Sequence, residues 1–334
     1  MPNLTEIIKE VSAIGTGHDV VRRKYMRELS QLTDRNLVIY YSGWLQKRGL
    51  PGLDQYMALD DNDKNGFMAA FHDLDKSKGL DIVLHTPGGD IAATESIVHY
   101  IHQIFGSNVR AIVPQLAMSA GTMISLSCSE ILMGKHSNLG PIDPQVGFLP
   151  AHGILEEFQR ATDEISSAQN QQELQGKLAV WQPIVAKYNP TLIGQCQKAI
   201  TWSNEMVKRW LCDGMFKGEE NADEKAEAIV QGLGSHALTK NHARHIHTDK
   251  LLELGIKIKF IEGDQKLQDA ILSLHHSCIN ALSHTQAVKI IENQNGVGLS
   301  LAVQVMNQAN NQSAQATGQT PLQQTTPSPD ALDS

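Results

Sequence analysis

Two consecutive strand–turn–helix units constrain this chain more than any other feature. In "GLDIVLHTPGGDIAATESIVHYIHQIF", Ile82, Val83 and Leu84 form a short apolar run that stops at a Pro-Gly-Gly turn. Ile97, Ile101, Ile104 and Phe105 then recur at helical spacing. "NVRAIVPQLAMSAGTMISLSCSEILMG" repeats the pattern. Val109, Ala111, Ile112 and Val113 read as a strand, "PQLAMSAG" as a turn, "TMISLSCS" as a helix and "EILMG" as a further strand. Strands joined through helices in this way build a parallel sheet with right-handed crossovers, so the expected class is α/β.

The flanking segments extend that frame. "RNLVIYYSGW" at 35–44 predicts a strong strand, and residues 4–33 read as a helix with Ile7, Ile8, Val11 and Ile14 at helical spacing and then a Gly-x-Gly break. An acidic loop leads into a helix over about 63–77. A run of helices follows, over about 154–168, 171–188, 193–216 and 224–232. "GIKIKFIEG" at 255–263 predicts a late strand, followed by helix over about 265–282 and again near 285–292. From about Gln308 the chain is rich in Gln, Asn, Thr, Ser and Pro, a composition that buries too little apolar surface to offset its ordering entropy; 308–334 is expected to be disordered.

The 334 residues are 41% hydrophobic but only 5% aromatic, enough for a large, mainly aliphatic core. A formal net charge of -8 gives no overall attraction to nucleic acid or anionic membrane. Four dispersed cysteines with no CxxC pair argue against a disulfide framework or a thiolate metal site and suit a reducing compartment. With no signal-peptide pattern and no apolar run of about 20 residues, the expectation is a soluble cytoplasmic protein without an integral membrane segment.

Chemistry concentrates at the two turns, since reactive groups in open α/β sheets gather at the carboxyl ends of strands. The turn His85-Thr86-Pro87-Gly88-Gly89-Asp90 offers glycine N–H groups ahead of a helix, suited to a developing negative charge. The second turn sets Ser119 between Met118 and Ala120 at the start of its own helix. One glycine amide and the Ala120 amide could form a two-donor oxyanion hole with Ser119 as nucleophile; the plainer alternative is that Ser119 is a helix cap. Among 14 histidines, the group His242, His245 and His247 in "TKNHARHIHTDKLLELGIK" is the most suggestive source of a base. Its alternatives are a polar turn or a metal site, and no neighbouring Cys or Glu completes a metal set. Asp143 in "GPIDPQ" is held between Pro141 and Pro144, which would fix its direction or make it an Asx-turn.

The segments "HTPGGDIAATESIVHYI", "AMSAGTMISLSCSEILMGKHSNLGPIDPQ" and "HARHIHTDKLLELGIKI" resemble the three signature regions of the superfamily of the Clp protease proteolytic subunit and signal peptide peptidase A. The branch they resemble most is the serine dehydrogenase proteinase family. The resemblance implies a crotonase-like spiral of ββα units over residues 35–300, with a helical insertion at about 154–230, preceded by a helical segment over 1–34. It implies a serine peptidase with Ser119 as nucleophile, Gly88 and Ala120 as oxyanion donors and Gly89 permitting the sharp turn. It also implies a Ser-Asp-His order of Ser119, Asp143 and His242, with His245 as fallback. The Clp subunit carries its histidine where this chain reads "NLGPIDPQ", and no histidine lies between His136 and His152. Signal peptide peptidase A uses a lysine base, a part that Lys177 or Lys187 would take if buried.

The implied reaction is acyl transfer on a peptide or protein substrate, with no cofactor and no metal, in a homo-oligomer. Two other readings stay open on sequence: an acyl-CoA enzyme in which the turn amides polarise a thioester, and a non-catalytic peptide-binding scaffold.

Overall fold

The computed structural model describes residues 17–50, 52–147, 149–235 and 241–303. Of the helix expected over 4–33, residues 4–16 lie outside the described residues, as does the tail expected to be disordered from 308.

Strands β1 (Asn36–Ser42), β2 (Leu80–His85), β3 (Val109–Val113), β5 (Glu130–Met133), β10 (Ile258–Phe260), β11 (Ala287–Asn293) and β12 (Gly298–Ala302) form one sheet in the order β10-β5-β3-β2-β1-β11-β12. The β1, β2, β3, β5 and β10 neighbours are parallel, and β11 and β12 join antiparallel beside β1. This is a mixed α/β fold with a mostly parallel central sheet, as the paired strand–turn–helix units predict.

Every residue of β1 and β2 is buried because helices cover both faces. Helices α1 (His18–Thr33) and α11 (Gln265–His284) cover the face carrying Leu37, Ile39 and Tyr41. Against the opposite face, with Val38 and Tyr40, pack α3 (Asp63–Phe71), α4 (Ile91–Phe105), α5 (Ala120–Leu126), α8 (Leu192–Asp213) and α9 (Ala222–Gly234). Met206, Val207, Trp210 and Leu211 of α8 are part of this core, so that helix is integral to the fold. Helices α6 (Ala151–Ser166) and α7 (Gln171–Val185) pack outside it, α6 against α8 around Ile154 and Cys196. Short helices α2 (Asp54–Met57) and α10 (Thr248–Glu253) complete the described set. None of these helices is long and apolar enough to cross a membrane.

The expectation of a helix near 285–292 is overturned: these residues form β11, antiparallel to β1. The segment "AVKIIEN" is rich in β-branched residues, and Asn295-Gly296, with Gly296 at φ +82°, turns the chain into β12. The helix expected to reach 77 ends at Phe71, where His72 adopts extended backbone.

A second sheet matters more for function. Strands β4 (Leu116–Ala117), β6 (Asn138–Leu139) and β9 (Ile246–His247) are each two residues long and lie in the order β4-β6-β9. β4 runs parallel to β6, and β9 runs antiparallel to it with Leu139 opposite Ile246. A separate hairpin joins β7 (Gln145–Val146) to β8 (Leu149–Pro150).

Candidate active site

The three-stranded sheet delivers three side chains to one end. Ser119 lies two residues beyond β4, Asp143 four beyond β6, and His242 four before β9. Because β9 is antiparallel to β6, the start of β9 adjoins the end of β6. The register of Leu139 with Ile246, carried on four residues, sets Asp143 opposite His242. The two groups do meet: His242 Nδ1 lies 2.9 Å from Asp143 Oδ1. With the carboxylate as acceptor, Nδ1 is the donor, an arrangement that in a neutral imidazole places the lone pair on Nε2. Asp143 is buried at 1% exposure, while the His242 side chain is 22% exposed and reaches the cavity.

Ser119 occupies the N-cap position of α5, but its hydroxyl makes no cap hydrogen bond. Its backbone stands at φ 49°, ψ -113°, a conformation rarely adopted by a residue with a Cβ. The sharp strand-to-helix turn leaves the side chain half-buried at the cavity wall rather than folded back on the helix. Among the described residues no hydrogen bond joins the Ser119 hydroxyl to His242; both groups line one cavity of about 990 Å³.

Thr86 ties the two turns together. Its backbone N–H donates to Leu116 O at 3.2 Å, and its carbonyl accepts from Met118 N at 3.0 Å. Gly88 then sits directly on the serine turn: a Cβ there would lie 2.5 Å from Ser119 Cβ and 3.0 Å from Ala120 N, and its φ is +99°. Only glycine meets both conditions.

The Gly88 N–H, expected to be an oxyanion donor, instead donates to Thr86 Oγ1 at 3.1 Å. Leu59 N–H donates to the Gly88 carbonyl at 2.8 Å, and Asp90 N–H donates to Leu59 O at 2.9 Å. A trans peptide points its C=O and N–H in opposite directions, so the Gly89 N–H is turned away from Leu59. Gly89 lines the cavity and is exposed. Among the described residues neither the Gly89 nor the Ala120 N–H has a backbone acceptor, and Ala120 opens its helix, where N–H groups lack intrahelical partners.

The cavity wall is largely apolar. Trp44, Met57, Leu59, Met123 and Ile142 contribute from the core side, and Ala199 and Trp202 of α8 from the other. Trp202 Nε1 donates to Glu95 Oε2 at 3.1 Å, linking α8 to α4. Behind Trp44, His85 packs at a ring separation of 4.4 Å, with Tyr41 and His275 also in contact. His85 is fully buried, and neither ring nitrogen has a hydrogen-bond partner among the described residues. Burial pushes its pKa down to about 3 and takes that of His275 well below the usual value. Burial also pushes the Cys128 thiol, nine residues past Ser119, up to about 12, so it supplies no thiolate.

The fallback bases are not brought to the site. Lys177 is on α7, 2.7 Å from Glu173, while Lys187 and His245 are exposed, and none of the three lines the cavity. Leu59, Thr86, Trp44 and Trp202 were not singled out by sequence reasoning. Only Thr86, inside the glycine motif, carried a local signal.

Comparison with known proteins agrees with this architecture. The chain is 30% identical over 207 residues to an uncharacterized protein of Methanocaldococcus jannaschii, covering 62% of this chain and 61% of the relative. It is 29% identical over 233 residues to a second uncharacterized protein of that organism, covering 69% and 73%. The match thus spans about three fifths of the first relative's length and about three quarters of the second's. Residues 14–174 match the ClpP-like SDH-type serine proteinases, a segment that includes both turns, Ser119 and Asp143 but ends before His242. Over that segment the chain is similar to the ClpP-like SDH-type serine proteinases, the group that its sequence motifs resemble.

Proposed function

We propose that this protein is a serine peptidase acting by acyl transfer, with Ser119 as nucleophile, His242 as general base and Asp143 orienting it. The observation that carries this reading is the 2.9 Å contact between His242 Nδ1 and Asp143 Oδ1 at the rim of the cavity that Ser119 lines. In this reading the contact favours the tautomer that leaves Nε2 to take a proton. Ser119 Oγ attacks the substrate carbonyl carbon and passes its proton to Nε2, which returns it to the leaving amine. Water then repeats the cycle on the acyl-enzyme. The Ser–His bond is open in the free protein and closes as substrate excludes water, as catalytic hydrogen bonds commonly do.

The oxyanion donors in this reading are the N–H groups of Gly89 and Ala120, since Thr86 engages that of Gly88. The protease domain extends over residues 35–300, because the base lies beyond the matched segment. The substrate is a peptide or protein chain with an apolar side chain against Trp44, Met57 and Trp202, and the family resemblance adds a homo-oligomer. Four free thiols suit a reducing compartment, the cytoplasm in this reading.

A fluorophosphonate probe tests the core claim. It should modify wild-type protein at Ser119 and leave Ser119→Ala unlabelled. Undiminished labelling of the variant would remove Ser119 from the reaction, and an unreactive wild type would favour a peptide-binding scaffold.

A further inference from the structure

Lys289 is a charged residue in an otherwise apolar stretch of β11, and it is only 3% exposed. It lies directly across the strand pair from Ser42 of β1, so both side chains project from the same face. Each holds a carbonyl at the C-terminal end of α2, one of its last residue and one of the residue after it. Ser42 Oγ donates to Met57 O at 2.7 Å, and Lys289 Nζ donates to Ala58 O at 2.7 Å. The ammonium also contacts both Asp63 oxygens, at 2.8 and 3.0 Å. Asp63, 2% exposed, in turn accepts from Tyr40 OH at 2.7 Å and from Asp60 N–H at 3.1 Å. Three successive points, Met57 O, Ala58 O and Asp60 N, are therefore pinned by buried groups. The residue between them is Leu59, whose N–H and C=O bracket Gly89.

Fixing one carbonyl of an ordinary loop needs no buried charge. A Lys–carboxylate pair taken out of water is costly, and replacing such a pair with apolar residues is often neutral or stabilising. This pair needs a reason beyond stability, and its bond to Ala58 O supplies one. Leu59 cannot shift without breaking bonds to a charged group. The Gly88 carbonyl that Leu59 holds sets the direction of the Gly89 N–H through a planar peptide.

We propose that Lys289 and Asp63, with Ser42, form a positioning unit that aims the Gly89 N–H at the oxyanion, acting through Ala58 and Leu59. This inference rests on the serine-peptidase reading. The unit takes no part in bond making. It reduces the reorganisation needed when charge develops on the substrate oxygen. Its key residue lies outside the segment 14–174 that matches the family.

The test is the double variant Asp63→Asn/Lys289→Met, which leaves no unpaired buried charge, beside Ser42→Ala, which keeps every charge. Full-length folded protein is assayed with a peptide ester and a peptide boronate, and exchange of the Leu59 and Asp90 amides is followed by NMR. A misplaced donor predicts a kcat loss on the order of 10²-fold for the double variant, with KM within about twofold. Boronate affinity should fall by the same factor as kcat, and both amides should exchange faster. Ser42→Ala should show the same pattern at roughly several-fold size. A folded double variant with wild-type kcat overturns the proposal, as does a loss expressed in KM alone. If the double variant does not fold, an unchanged kcat in Ser42→Ala overturns it. A wild type that fails to react at Ser119 sinks the peptidase reading and this inference together, whereas a reactive wild type with an equally active variant sinks only this inference.

Discussion

Asp143 and His242 are ninety-nine positions apart in the chain, yet His242 Nδ1 and Asp143 Oδ1 lie 2.9 Å apart, set opposite one another by the antiparallel register of two two-residue strands. A contact of this kind between a fully buried carboxylate and a half-buried imidazole leaves one ring nitrogen for the solvent side, where the cavity and Ser119 lie.

Asp143→Asn tests that relationship. The amide fits the same space but can present its NH2 to the ring, favouring the tautomer with Nε2 protonated. Turnover of an ester substrate should fall on the order of 10³–10⁴-fold with little change in thermal midpoint. Activity within tenfold of wild type would show that Asp143 does not orient the base.

Gly88→Ala tests the packing of the two turns. The new methyl group would lie 2.5 Å from Ser119 Cβ, at a residue with φ +99°. We expect about 1–3 kcal/mol of destabilisation from overpacking and backbone strain. Fluorophosphonate labelling should slow at least about 100-fold, because the serine turn must move. Chemical denaturation and labelling rates on the same preparation check both. Wild-type values for both would mean that the two turns are further apart than described.

The buried histidines make stability depend on pH. Because burial holds the His85 pKa near 3 against an ordinary value of 6.5, the unfolded chain binds a proton there between those values that the folded chain does not. Stability therefore rises with pH across that window and is lost as pH falls below about 6.5, by about 1.4 kcal/mol per pH unit. His275, displaced in the same direction, adds to the slope. His85→Phe keeps an aromatic ring against Trp44 and breaks no hydrogen bond among the described residues. Urea unfolding at pH 7 and pH 5 should show the wild type losing about 2 kcal/mol more than this variant. Equal losses would mean that position 85 is not held neutral.

Trp202→Ala tests the α8 wall. The indole lines the cavity and donates to Glu95, so its removal should raise KM for a substrate with a large apolar side chain roughly tenfold, with kcat changed much less. The same substitution should barely affect a substrate with a small side chain. Equal effects on both would indicate a structural role for Trp202 rather than contact with substrate.

The strand–turn–helix units around Ile82–Leu84 and Val109–Val113 were legible because buried parallel strands and amphipathic helices leave local apolar patterns. The helix expected near 285–292 was misread for a related reason. A short segment with Ala287, Val288, Ile290 and Ile291 as its apolar residues does not by itself distinguish a strand from a short buried helix. The Asn295-Gly296 turn was the signal that separates them, and it lies just beyond the segment. Leu59 left no trace in the sequence, because its part is played by backbone N–H and C=O groups that every residue carries.

The amino-acid sequence by itself determined the α/β class, the two turns with their glycines and Ser119, and the residue types able to act beside them. The resemblance named Asp143 and His242, but only the tertiary structure brings the two side chains into contact, leaves Lys177, Lys187 and His245 off the wall of the cavity that Ser119 lines, and gives the Gly88 N–H an acceptor in Thr86 Oγ1. The physical reason is one of range. Turn and strand preferences act between neighbouring residues. The direction of a proton acceptor or an amide donor depends on strand register and buried hydrogen bonds between segments far apart in the chain.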